Sequence, residues 1–139
     1  MKLSVKSDYA ARAVLALARH HATGQAQRIE TLATQYAIPA GYLVQILIEL
    51  KSRKLVASVR GKSGGYLLAK SPAEITLGEV LRCTHGHVFD SPALKNTNCP
   101  QELRHAWECL RNDFEAAADR INFQQILDRS ADKEKMYYI

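Results

Sequence analysis

Ile38-Pro39-Ala40-Gly41-Tyr42-Leu43-Val44-Gln45-Ile46-Leu47-Ile48-Glu49-Leu50 is followed by Leu55-Val56-Ala57-Ser58-Val59, Arg60-Gly61-Lys62-Ser63-Gly64-Gly65 and Tyr66-Leu67-Leu68-Ala69. The residue before a proline is pushed out of the helical region, so Ala37-Ile38-Pro39 reads as a turn. Pro39 suits a first helical position, where its missing N–H leaves no bond unmade. Leu43, Ile46, Leu47 and Leu50 then recur at helical spacing and predict a helix running to about Arg53. Beyond it, two β-prone runs flank a loop with three glycines, the pattern of a hairpin with a long basic tip.

Upstream, Ile29, Leu32, Ala33 and Tyr36 give a shorter helix that must stop before Pro39, and Ala10, Ala13, Val14 and Leu17 give a first helix from Asp8 to His20, ended near Gly24. Two short helices joined by a tight turn form a helix-turn-helix, and a hairpin directly behind it is a wing. Downstream, Pro72 closes the unit. Thr76 with Glu79 three residues on has the form of a capping box that opens a fourth helix. Residues 84–100 contain Gly86, two prolines and Asn96-Thr97-Asn98 without periodicity and read as a loop.

From Leu103 the apolar positions Leu103, Trp107, Leu110, Phe114, Ala117 and Ile121 alternate in steps of four and three, a heptad seam over about five turns. A stripe of that size on a small protein implies burial against a second copy, so these six residues are the predicted dimerisation positions. The chain divides into a winged helix-turn-helix domain (1–83), a loop with a sensor role in view (84–101), a dimerisation helix and following turn (102–127), and a C-terminal tail (128–139). Ser130 to Lys135 is polar and reads as loose, while Met136-Tyr137-Tyr138-Ile139 can dock. The fold class is mainly α with a small β-hairpin.

A length of 139 residues allows one compact core, and 47% hydrophobic with 24% charged residues is the composition of a folding globular chain. No apolar run approaches the ~20 residues that span a bilayer. The first residues lack the continuous apolar stretch of a secretory signal, so the expected location is the cytoplasm. Three cysteines, Cys83, Cys99 and Cys109, are an odd number and argue against a disulfide framework. Residues 1–70 hold eleven Lys/Arg against three acids, whereas residues 71–139 hold eight against eleven. Between 51 and 70 stand six basic residues and no acid, the density of a surface that neutralises phosphates.

On such a surface Ala40, Tyr42 and Gln45 point outward from the helix that would enter a major groove, Gln45 suited to adenine and Tyr42 to a phosphate or a thymine methyl. Arg60 and Lys62 stand at the wing tip, where Arg60 suits a narrow minor groove. Lys2, Lys6 and Arg28 are weaker candidates for backbone contact. A Cys99/His105 pair is the nearest approach to enzymatic chemistry, yet no nucleophile elbow, P-loop or HExxH-type motif accompanies it. A helical interaction module would leave the glycine-rich basic hairpin unexplained.

Two stretches carry a family resemblance. One is the opening Met1-Lys2-Leu3-Ser4-Val5-Lys6-Ser7-Asp8-Tyr9-Ala10. The other runs from Ile38-Pro39 through Tyr42-Leu43 and Leu50 to Ser58-Val59-Arg60-Gly61, Gly64-Gly65-Tyr66-Leu67-Leu68-Ala69 and Ile75-Thr76-Leu77. In these the chain resembles the Rrf2-type family of bacterial regulators. The resemblance implies a homodimeric winged helix-turn-helix that binds an imperfectly palindromic operator in double-stranded DNA, usually as a repressor. It adds Ser58, Gly64 and Tyr66 to the DNA-binding positions.

Many members of that family hold an iron–sulfur cluster on three closely spaced cysteines before the long helix plus a fourth ligand, in some an acid near the N-terminus. Here Cys83, Cys99 and Cys109 are separated by fifteen and nine residues, and Cys109 lies within the heptad helix. One alternative is a mixed site of Cys99 and Cys109 with Asp8 of the partner subunit, or with His85, His87 or His105. The other is a regulator without cofactor that senses a metabolite or a partner protein, with Cys83 and Cys109 as small core residues and Cys99 a loop thiol.

Overall fold

The computed structural model describes residues 3–137, with side-chain environments as far as Ser130. In order the elements are α1 (Val5–Arg19), α2 (Ile29–Tyr36), α3 (Ala40–Ser52), β1 (Val56–Val59), β2 (Gly65–Leu68), α4 (Leu77–His85), α5 (Gln101–Asp119) and α6 (Phe123–Tyr137).

Helix α1 begins three residues before the predicted Asp8. Ser4 caps it by accepting from the Ser7 N–H at 3.0 Å, a bond that satisfies one of the orphan donors of the first turn. Its apolar face, Ala10, Ala13, Val14 and Leu17, is fully buried and packs against Leu43, Ile46, Leu47 and Leu50 of α3. Each of these larger side chains contributes on the order of 1.5–3 kcal/mol by leaving water. The turn from α2 to α3 is made by Ala37 in the left-handed region (φ 54°), and Pro39 is the N-cap of α3 rather than its first helical residue. Its φ of −56° suits either place, and its extended ψ of 131° puts it outside the helix.

The hairpin pairs Val56 with Leu68 and Ser58 with Tyr66 in antiparallel register. Its base, Val56 and Leu68, is buried in the core with Tyr66 packed against it, while Ser58, Val59 and the tip project. A third segment joins it: the Gln27 N–H donates to the Tyr66 carbonyl at 2.7 Å and the Tyr66 N–H to the Gln27 carbonyl at 2.8 Å. This bridge explains the second glycine of Gly64-Gly65. Gly65 has φ +150°, and a Cβ there would collide with the Gln27 backbone.

Thr76 caps α4 as the sequence predicts, accepting from the Glu79 N–H at 3.1 Å. The box stays half made because the Glu79 carboxylate binds Lys70 at 2.9 Å instead of reaching back. The loop reading of 84–100 is modified in two places: α4 extends to His85, and Pro92–Leu94 form one 3-10 turn in the middle.

The greatest departure lies at the C-terminus. The heptad helix ends at Asp119, leaving Ile121 in the following turn, and a further helix runs through the segment read as a loose tail. Asn122 and Gln125 start α6 with a reciprocal capping box: the Gln125 N–H donates to Asn122 Oδ1 at 2.9 Å and the Asn122 N–H to Gln125 Oε1 at 3.0 Å. Phe123 is 1% exposed in the main core, and Ile126 and Leu127 pack beside it. Bonds from Leu77 N to Ile121 O (2.9 Å) and from Phe123 N to Ile75 O (3.1 Å) fasten this return. The winged unit is therefore completed by residues far beyond position 83.

Candidate nucleic-acid interface

The core stripe of α3 fixes what the helix shows to solvent. With Leu43, Ile46, Leu47 and Leu50 turned inward, Gly41, Val44, Gln45 and Ile48 form the opposite face at i, i+3, i+4 and i+7, all exposed. Ala40 is exposed at the first position, and no side chain caps the free N–H groups of that turn. Gln45 stands where the sequence places it. Tyr42 lies on the flank: its ring meets Tyr9 edge-on with centroids 5.6 Å apart, leaving it 51% exposed. Arg12 covers the Tyr9 ring at 5.5 Å and binds Asp8 at 2.7 Å, so this flank is held by a chain of contacts from α1.

The acid of α3 does not face outward. Glu49 is bound by Lys6 of α1 at 2.6 Å, so the ammonium of this candidate is engaged within the chain. At the end of the helix and beyond it, Lys51, Lys54, Arg60 and Lys62 are all exposed, while the exposed Arg53 turns toward Glu79 and Arg82 of α4. Lys51 Nζ donates to Ser58 Oγ at 2.7 Å. That bond joins two exposed side chains, one on α3 and one on β1, so the end of the helix and the hairpin share one continuous surface. Among the described residues Arg60 and Lys62 take part in no salt bridge.

Arg28, a weaker candidate for backbone contact, stands beside the wing. Its guanidinium donates to the Lys62 carbonyl, tying the start of α2 to the wing tip. Gly24, Gln27, Arg28, Thr31, Ser63 and Gly64 line an open cleft of about 600 Å³ beside this tie. Tyr66 is half-buried at the Gln27 bridge and Gly64 half-buried in the tip turn, so both shape the hairpin from within. Lys2 lies outside the described residues. The Gln27 bridge and the Val44/Ile48 face went unread; the latter was masked because the apolar run 43–50 supplies both faces of one helix.

The thiols occupy separate environments. Cys83 is half-buried against the core, its Sγ 3.3 Å from the Glu49 carbonyl, and burial pushes its thiol above the usual cysteine range. Cys99 is half-buried just before α5, 3.7 Å from the Pro100 carbonyl. Cys109 is exposed on α5, 3.7 Å from His105 Nε2, and is not the small core residue that the cofactor-free reading expects. His85 lies against Ser4 Oγ, and Asp8 is paired with Arg12. Among the described residues no group of three or more His, Cys, Asp or Glu side chains is arranged to hold a metal ion. The described donors of one protomer therefore do not fit a cluster.

Helix α5 buries no residue. Leu103, Leu110, Phe114 and Ile121 are 40–45% exposed; Ala117 is exposed, and Trp107 is half-buried. Leu110, Phe114, Ala117 and Ile121 with Leu77 and Leu81 of α4 line an apolar groove of about 380 Å³. The helix is fixed at its exit by Arg82, which binds Asp119 at 2.6 Å over Gly78, where any Cβ would strike the carboxylate. No helix among the described residues is long and apolar enough to cross a membrane.

The chain resembles proteins of known class over nearly all its length. The HTH-type transcriptional regulator Rv1287 of Mycobacterium tuberculosis is 43% identical over 131 residues, covering 91% of this chain and 81% of the relative. The solved structure of T. potens IscR superposes with TM-score 0.75 and 28% identity, over 94% of this chain and 88% of that one. CymR of Bacillus subtilis, the global cysteine regulator, shares the fold with TM-score 0.81 and 24% identity, over 93% and 98% of the two chains. The Rrf2 family, described as iron-dependent transcriptional regulators, matches residues 3–129. With a hairpin and helix-turn-helix on one basic surface, and relatives that are regulators rather than enzymes, the chain belongs to the Rrf2 family of DNA-binding transcriptional regulators.

Proposed function

We propose that the protein acts as a homodimer, paired along α5, that binds a palindromic operator and represses transcription from it. Each protomer sets α3 into a major groove, with Gln45 toward base edges and Ala40 and Tyr42 at the groove margin, while Arg60 and Lys62 carry the wing to the neighbouring minor groove and backbone. Ser58, Gly64, Tyr66 and Arg28 set the height and angle of that wing. The observation that carries this reading is the Lys51–Ser58 bond, which makes one surface of the exposed end of α3 and the exposed hairpin.

Pairing along α5 is supported by the solvent-facing seam of Leu103, Leu110, Phe114 and Ile121, with Trp107 and Ala117 on the same stripe. A stripe of that width gains by covering itself with its own copy, the commonest closed symmetry. The separation of Cys83, Cys99 and Cys109 supports a regulator whose signal needs no three-thiolate cluster within one protomer. The intermolecular alternative, Cys99 and Cys109 with the partner subunit's Asp8, would first have to free that carboxylate from its arginine.

Binding to duplex DNA, followed by fluorescence anisotropy through a salt titration, tests the reading. Affinity should fall steeply with salt because phosphate contacts release counterions. Replacing Arg60 by Ala should weaken binding about five- to tenfold, the order of one lost charged contact, with the dimer intact by light scattering. No binding at low salt rejects the assignment, and unchanged affinity in the variant rejects the wing's part in it.

A further inference from the structure

The outward face of α3 is unusual for a helix amid so many lysines and arginines. Gly41, Val44, Gln45 and Ile48 form it, so its polar capacity reduces to one amide. Val44 is 43% and Ile48 53% exposed, and they stand at i and i+4, adjoining rather than scattered. Ser52, one turn further, does not extend the polar set, because its hydroxyl donates to the Glu49 carbonyl at 2.7 Å. Two β-branched residues gain nothing on a solvated helix face, where straight-chain residues are the better helix formers. Something apolar that tolerates a basic rim must cover them.

We propose that Val44 and Ile48 are specificity-determining residues that make apolar contact with the C5-methyl groups of thymines, directing the protein to A·T-containing steps in the major groove. This rests on the DNA reading above and sharpens it. The border narrows the choice of occupant: Lys51, one turn beyond Ile48, bonds to Ser58 of the hairpin that carries Arg60 and Lys62, a basic edge that favours a polyanion, and the major groove is where a polyanion presents an apolar group. Of the four bases only thymine carries a methyl there. From Gly41 to Ile48 the helix runs about 10 Å, a length that a groove about 12 Å wide accommodates. The small Gly41 keeps that approach open, since a Cβ at this position would meet nothing within the chain. Gln45 between the two apolar residues supplies the bidentate partner for an adenine, so all three side chains favour the same base pair.

The test begins with the full chain and a randomised duplex pool, from which bound sequences are selected at low salt. Recovered duplexes are then remade with deoxyuridine at the enriched thymines, which removes only the methyl. Wild-type affinity should drop roughly three- to fivefold for each contacted methyl, the value of one buried methyl-sized group. The Val44→Ala/Ile48→Ala variant should bind the thymine and uracil duplexes equally, with helicity and thermal midpoint kept or slightly raised, because both residues are exposed and alanine is the better helix former. Equal wild-type affinity for both duplexes, no enrichment of thymine, or a thymine preference that survives in the variant overturns the proposal. If the two substitutions leave DNA binding untouched, the face is assigned to a protein partner instead. Failure of the wild type to retain any of the pool rejects DNA binding itself, a result distinct from all of these.

Discussion

Helices α1 and α5 are the two longest whose side chains are fully described, and they have opposite fates. Seven residues of α1 are buried, and its neighbours α3, α4 and α6 cover it on several sides. Not one residue of α5 is buried, although its apolar seam is longer. Both helices obey the same 3.6-residue pattern, so periodicity tells that a face will be covered without telling by what. In α1 the cover is the chain itself. Along α5 the described residues supply only a partial cover, with Phe89 beside Phe114 and Leu77 and Leu81 along the groove, which is why the proposed second copy belongs there.

The largest expected effect tests the closed half. Leu47→Ala, at a site with no exposure, should destabilise the fold by about 2–5 kcal/mol, read as a lowered denaturant midpoint. A loss below 1 kcal/mol would show the α1/α3 core to be looser than its burial implies. The open half should respond differently. Phe114→Glu should raise the dimer dissociation constant about a hundredfold or more, since a residue in a two-fold interface counts twice, with the far-UV spectrum kept. Loss of the spectrum along with the dimer would mean that α5 is packed for its own domain.

A smaller change lies at the junction of wing and core. Gly65→Ala should lower stability by about 1–3 kcal/mol through strain, and it should weaken DNA binding more than Arg60→Ala, because the whole hairpin must move off the Gln27 backbone. Binding affected less than in Arg60→Ala would detach the wing's position from the bridge. The mildest measurement is the order of thiol labelling under native conditions. Exposed Cys109 should react first and Cys83 last, the latter being both half-buried and pushed toward the protonated form. A fast-reacting Cys83 would break the assignment of that residue to the closed half.

The comparison also explains what could be read without coordinates. Leu43, Ile46, Leu47 and Leu50 announce α3, and three glycines between β-prone runs announce the hairpin, because those signals are local. The Gln27–Tyr66 bridge joins positions 39 residues apart through backbone atoms that carry no side-chain signature. Phe123 was legible in principle: Asn122 and Gln125 are a capping pair before Ile126 and Leu127, but the polar residues after them obscured the helix. The candidate DNA-facing residues are read through their polarity, which picks out Gln45 and Arg60 and passes over the exposed Val44 and Ile48. It does not foresee that the Tyr42 ring rests on Tyr9 or that the Arg28 guanidinium ties to the Lys62 carbonyl.

The clasp at the far end of α5 has a mechanical meaning. Arg82 grips Asp119, and the strand-like bonds of Ile75 and Leu77 to the Ile121–Phe123 turn lock the same corner. The rod that leaves the winged unit through the 86–100 loop thus re-enters it as a welded joint rather than a hinge. In the proposed dimer, a partner seated on that rod would be held at a set offset from the reading head, so the gap between two half-sites would be a length built into the protein, as fixed as the gauge of a railway.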